Sequence, residues 1–210
     1  MDYELAGAGG TMIRIVFQTL LLVVSTLQIF TPMIAAQETD PEPIKPALLV
    51  IDVQNHYIAM MDPDDESKAP QMINGAIWLF RQNDLPVIRI YHTDPQWGPP
   101  TDSEAFQFPA TINIEETDPQ IIKNYPSAFV KTDLQRVLED REVNTLFLCG
   151  LSATGCVLAT YFGALEREYD VFMIEGALMS PETVQTKMIE DVLDSVGWSS
   201  MNMILRGAKN

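Results

Sequence analysis

The chain has 210 residues, 47% hydrophobic and 20% charged, which excludes a disordered, collagen-like or disulfide-scaffold protein and leaves a globular one, with a single domain expected. Thirteen Lys and Arg against 29 Asp and Glu give a formal charge of -16, so neither nucleic-acid binding nor polybasic docking to a membrane is expected. Two cysteines, Cys149 and Cys156, and two histidines, His56 and His92, form no grid with zinc-binding spacing.

After Arg14 the chain is uncharged from Ile15 to Gln37, with the run Leu20-Leu21-Leu22-Val23-Val24 and the small pair Ala35-Ala36 near its end. This pattern predicts a signal peptide over 1–36, with Arg14 as its positive region and either Met1 or Met12 as initiator. A retained membrane anchor is the alternative. Gln18, Thr19, Ser25, Thr26, Gln28 and Pro32 interrupt the apolar run and favour cleavage, hence a secreted or periplasmic protein with no membrane contact afterwards. A tether rich in Pro and acid, 37–46, leads into the domain expected over 47–210.

In that domain, Ala47–Ile51 predicts a buried strand ending at Asp52, Ala69–Asn83 a helix, and Pro86–Tyr91 a second strand. A long loop follows from His92 to about Tyr125, with Pro95, Pro99, Pro100, Pro109 and Pro119; loops of that length are usually a lid or a pocket wall. Further on come a helix at Thr132–Glu142, a strand at Thr145–Cys149, a helix at Thr154–Tyr169, a strand at Val171–Ile174, a helix at Pro181–Val196 and a last strand at Met201–Leu205. Strands alternating with helices predict a three-layer αβα sandwich around a mostly parallel sheet of five or six strands.

Ligands in such sheets sit at the carboxyl ends of strands. Asp52 and Cys156 both fall there. The turn Gly150-Leu151-Ser152-Ala153-Thr154-Gly155 lets backbone N–H groups approach a ligand, and a helix beginning near Cys156 would favour its thiolate. The N–H groups of Ser152 and Cys156 are the natural oxyanion donors. Each residue also has a plain structural reading: Cys156 as core, Asp52 as a strand-end cap, Lys123 as surface charge, and Cys149 as core rather than the partner of a disulfide across the tight turn. Trp97, Phe106 and Phe108 either wall an apolar pocket or pack the long loop down.

Three strings together resemble the isochorismatase-like cysteine hydrolases: Ala47-Leu48-Leu49-Val50-Ile51-Asp52-Val53-Gln54-Asn55, then Lys123 with Pro126-Ser127-Ala128-Phe129 and Thr132-Asp133-Leu134, then Gly150 to Thr160. The resemblance spans about Ala47 to Leu205. It implies that family's fold, a catalytic triad of Asp52, Lys123 and Cys156, and a non-proline cis peptide at Leu151-Ser152. Trp97, Phe129 and Leu158 are then the expected pocket residues. Nicotinamidase relatives carry an Asp-x-His motif and further histidines that bind a metal, whereas Tyr91-His92-Thr93-Asp94-Pro95 departs from that motif, so no metal and no cofactor are expected. The nucleophile turn Gly155-Cys156-Val157 is more similar to N-carbamoylsarcosine amidases, although Leu158 replaces an Arg frequent in that branch.

The implied activity is hydrolysis of a C–N bond in a small amide or carbamoyl compound through a thioester, by a protein that either stays single or forms a homo-oligomer. Two alternatives are a non-catalytic binding protein on the same fold and a nicotinamidase- or isochorismatase-type hydrolase. A flavin or nucleotide site lacks its GxGxxG or P-loop string.

Overall fold

The computed structural model describes residues 42–208. The expected signal peptide and most of the tether lie outside the described residues. The tether's last part is bound to the fold: Asn144 Nδ2 donates to the Pro43 carbonyl, Lys45 N–H donates to Asn144 Oδ1, and Pro46 already opens the first strand.

Six strands form one sheet, β1 (Pro46–Ile51), β2 (Val87–His92), β3 (Gln120–Lys123), β4 (Thr145–Leu151), β5 (Asp170–Met179) and β6 (Ser195–Val196), in the order β3-β2-β1-β4-β5-β6. Every adjacent pair is parallel. The order reverses between β1 and β4, where the connections leave in opposite directions and open a crevice at the strands' carboxyl ends.

β1 and β4 are buried along their whole length, so they read as continuous apolar runs rather than alternations. Alternate residues nevertheless serve different layers. Leu48 and Val50 pack with α2 (Pro63–Gln82) and α6 (Trp198–Gly207), while Ala47, Leu49 and Ile51 pack with α3 (Leu134–Glu139), α4 (Leu158–Leu165) and α5 (Thr183–Val192). The expected three-layer sandwich is therefore present. A short α1 (Asn55–Ile58) follows β1 directly.

Several boundaries differ from the sequence reading, each for a local reason. α2 begins at Pro63 rather than Ala69, because Asp62 caps it by accepting from the Asp64 N–H and Pro63 fills the first-turn position where no N–H is needed. The long loop contains β3, a four-residue strand directly after Pro119. Met201–Leu205 is not a strand but part of α6: Met201 and Leu205 lie four residues apart on the buried face, and Met203 between them points to solvent. The last strand is Ser195–Val196, paired with Met173 and Ile174, and it shortens the helix expected over Pro181–Val196 to Thr183–Val192.

Candidate active site

Four neighbouring strands deliver one side chain each to the candidate site. Asp52 follows β1, His92 closes β2, Lys123 closes β3, and Cys156 lies in the turn after β4. The β2–β3 register sets His92 directly opposite Lys123, and the crevice between β1 and β4 brings Asp52 and Cys156 together.

Asp52 has φ 55°, a left-handed conformation that costs a non-glycine residue about 1 kcal/mol or more and is tolerated where surrounding structure fixes it. Here its N–H donates to the Ile90 carbonyl and its carbonyl accepts from Gln54. Gly150 in β4 is required by the same crowding: its φ is +113°, and a Cβ would stand 2.1 Å from the Ile51 carbonyl oxygen.

Lys123 is only 1% exposed and Asp52 2%. Nζ of Lys123 donates to Oδ2 of Asp52 at 2.6 Å and lies 3.1 Å from His92 Nδ1. Oδ1 of Asp52 is buried without a hydrogen-bond partner, and the Cys156 sulfur, a carboxylate oxygen of Asp52 and a ring nitrogen of His92 lie within 4.8 Å of one another. Burial raises the Asp52 carboxyl above its ordinary range, against the pull of Lys123. The Lys123 side chain, 2.6 Å away, is the counter-charge that favours the ionised carboxylate.

Cys156 is half-buried and sits in a turn wound wider than an α-helix (Ala153–Val157), immediately before α4. The Ser152 carbonyl accepts from the Gly155 and Val157 N–H groups, which passes over the N–H of Cys156. The Leu151-Ser152 peptide is cis. Thr160, fully buried, donates its hydroxyl to the Cys156 carbonyl at 2.7 Å and accepts from the Ala128 N–H at 3.0 Å, which ties the Cys156 turn to the segment after β3.

The expected thiolate is not the resting form. Burial first, and then the Asp52 carboxylate, push the Cys156 thiol up to about 12, and Lys123 only partly offsets them. Cys149 is core as expected, with its thiol donating to the Leu49 carbonyl, and both cysteines are free.

The expected pocket residues scatter. Trp97 is 82% exposed, on a turn where Asp94 Oδ1 accepts from the N–H groups of Gln96 and Trp97. Phe129 is buried, stacked on Tyr169 with the Arg167 guanidinium over its ring, beside the C-terminal end of α4 rather than at Cys156. Phe106 and Phe108 pack on Tyr91 and hold the long loop down. Leu158 is half-buried against the helix-side core two residues after Cys156. Sequence reasoning missed Tyr57, whose ring lies edge-on to His92 at 5.8 Å; burial first, and then the neighbouring Asp52 carboxylate, raise its hydroxyl. It also missed Gln54, which holds both backbone groups of His92.

Asp52, His92 and Cys156 offer oxygen, nitrogen and sulfur to a metal ion, but the Lys123 ammonium already lies between the first two. A divalent ion would have to displace it.

A family model for the isochorismatase domain matches residues 46–198. The uncharacterised isochorismatase family protein YddQ of Bacillus subtilis is 30% identical over 155 residues, which cover 69% of this chain and 81% of that one. Among solved structures, N-carbamoylsarcosine amidase from Thermoplasma acidophilum superposes with a TM-score of 0.64 at 25% identity, covering 73% of this chain and 95% of that one. A cysteine hydrolase from Pseudomonas syringae pv. phaseolicola shares the fold with a TM-score of 0.66 at 20% identity, over 79% and 94% of the two chains. With the sheet order and the strand-end site already in place, these matches identify the chain as a hydrolase that belongs to the isochorismatase family.

Proposed function

We propose that this protein hydrolyses a C–N bond in a small amide or carbamoyl compound, with Cys156 as nucleophile, Asp52 as general base and then acid, and Lys123 as the cation that keeps Asp52 ionised. The observation that carries this reading is the buried Asp52 carboxylate, one of whose oxygens lies within 4.8 Å of the Cys156 sulfur, with Oδ2 held by Lys123 and Oδ1 left without a hydrogen-bond partner.

Sγ of Cys156 gives its proton to Oδ1 as it bonds to the carbonyl carbon, and the C=O electron pair moves onto oxygen, where the N–H groups of Ser152 and Cys156 receive it. Collapse of this tetrahedral species breaks the C–N bond, and Asp52 returns the proton to the departing nitrogen. Water then attacks the thioester, giving a proton to Asp52 that passes to sulfur as the acid leaves. No step calls on a metal or cofactor. The thiol's high proton affinity suits this coupling, because a sulfur that is mostly protonated at rest needs a base beside it as the bond to carbon forms.

Ammonia release across a panel of small amides, ureides and carbamoyl amino acids tests the proposal. A turnover that Cys156→Ala abolishes supports it; no release of ammonia or amine from any of them, by a folded protein, would sink it. We further propose that the chain is exported, on the strength of the uncharged run before Gln37. Among the described residues no helix is long and apolar enough to cross a membrane.

A further inference from the structure

We propose that His92 is a positioning residue of this site, whose Nδ1 accepts a hydrogen bond from Lys123 and so directs the ammonium between the Asp52 carboxylate and the Cys156 sulfur. The inference rests on the catalytic reading of Asp52, Lys123 and Cys156 given above.

An ammonium has three N–H donors and no acceptor, and in a site closed to water each donor needs a partner of its own. Asp52 Oδ2 at 2.6 Å takes one and His92 Nδ1 at 3.1 Å takes another. The Cys156 sulfur lies within 4.8 Å of a carboxylate oxygen of Asp52 and a ring nitrogen of His92, the two residues that hold the ammonium, which draws the thiol toward ionisation. With one acceptor removed, the ammonium would be free to turn about its bond to Asp52, and the charge that meets the sulfur would no longer be fixed in direction.

His92 is itself held for this task. Gln54 clamps its backbone from both sides, with Oε1 accepting from the His92 N–H at 2.7 Å and Nε2 donating to its carbonyl at 3.0 Å. The ring lies edge-on to Tyr57, and strand register places the residue opposite Lys123. Facing a group that can only donate, Nδ1 must present its lone pair, so the ring proton belongs on Nε2.

Around the imidazole stand Lys123 from β3, Asp52 from β1, Tyr57 from α1, Cys156 from the turn after β4, and Asp94 just beyond β2. Burial and Lys123 together hold the ring neutral, lowering it to about 4 against the weaker pull of Asp94. In this arrangement His92 keeps a cation in place, which is the opposite of the ligand role its position near a strand end suggests.

The test compares His92→Leu, which removes the acceptor, with His92→Asn, whose amide oxygen can replace Nδ1. The rate of Cys156 alkylation by iodoacetamide, measured at about pH 8.5 where the rate tracks the thiolate fraction, should fall about tenfold in His92→Leu and recover in His92→Asn. Turnover of the best amide should follow in kcat with little change in KM. In the wild-type protein, nitrogen NMR of His92 should show an unprotonated Nδ1 throughout the neutral range, a readout independent of whether either variant folds. A protonated Nδ1, or a reactive thiol indifferent to both substitutions, overturns the role of His92 alone. A folded wild-type protein whose Cys156 never alkylates overturns the nucleophile and this inference with it.

Discussion

Lys123 Nζ and Asp52 Oδ2 meet at 2.6 Å although 71 residues separate them, and both side chains are almost wholly withdrawn from water. A buried pair of this kind is weak evidence for stability, because desolvating the two charges offsets their attraction. Breaking it is another matter. Lys123→Met leaves the Asp52 carboxylate buried and uncompensated and should cost about 3–5 kcal/mol, read from urea unfolding, whereas adding Asp52→Asn to Lys123→Met should restore part of the loss. A double variant no more stable than Lys123→Met would show that the two groups are not coupled.

Cys156→Ala should lower turnover by at least about a thousandfold while the thermal midpoint moves little, since a smaller residue still fits the half-buried turn position. Steady-state rates and a melting curve on the same sample decide it. Substantial residual turnover would remove the thiol from the mechanism.

The His92 ring is neutral in the folded protein down to about pH 4, whereas an unfolded histidine takes a proton near pH 6.5. Between those two values the unfolded chain binds the proton that the native one refuses, so this group lowers stability as the pH falls through that window and adds nothing above it. Asp52 works in the opposite sense: its raised carboxyl takes a proton in the native state before the unfolded one does. Urea midpoints at pH 7 and pH 4.5 for the wild type and His92→Asn separate the two, and the wild type should lose more over that interval. An equal loss would mean that the ring titrates as it does in water.

Dialysis against EDTA, with thiols kept reduced, should leave turnover and apparent substrate affinity unchanged, because Lys123 already supplies the positive charge that Asp52 and His92 face. Activity lost and then restored by one divalent ion would place that ion among Asp52, His92 and Cys156 and return nicotinamide-type substrates to the front.

Expression in a secreting host should yield a chain cleaved near Ala36, as determined by intact mass. Full-length chain in the membrane fraction would identify an anchor, and full-length chain in the cytoplasm would overturn the export proposal.

Asp52 and Cys156 were legible in the sequence because each follows a long apolar run, and a reactive side chain at the end of such a run is where an open parallel sheet binds ligands. Lys123 was legible only through resemblance. Its strand is four residues long and alternates exposed and buried positions, so that the buried lysine breaks the apolar pattern that would have announced β3. The same cause hid α6, where buried Met201 and Leu205 flank the exposed Met203 and imitate a strand. The protonation of Cys156 could not be read at all, since it depends on how deeply the turn is buried and on a carboxylate from β1.

The four side chains of the candidate site lie at or just beyond the carboxyl ends of four adjacent strands, with β1 bonded to β4 across about a hundred residues. No stretch as short as a hairpin carries more than one of them. Long-range parallel pairings form slowly, because loop closure is costly before any contact compensates for it. During refolding, helical signal should therefore return well before catalysis, and a truncated or circularly cut chain that keeps three of the four strands should be inert whatever its helix content. A slip of β3 by a single residue would turn Lys123 to the opposite face and bring Ile122 into its place, so under the proposed mechanism turnover reports the register of the sheet edge.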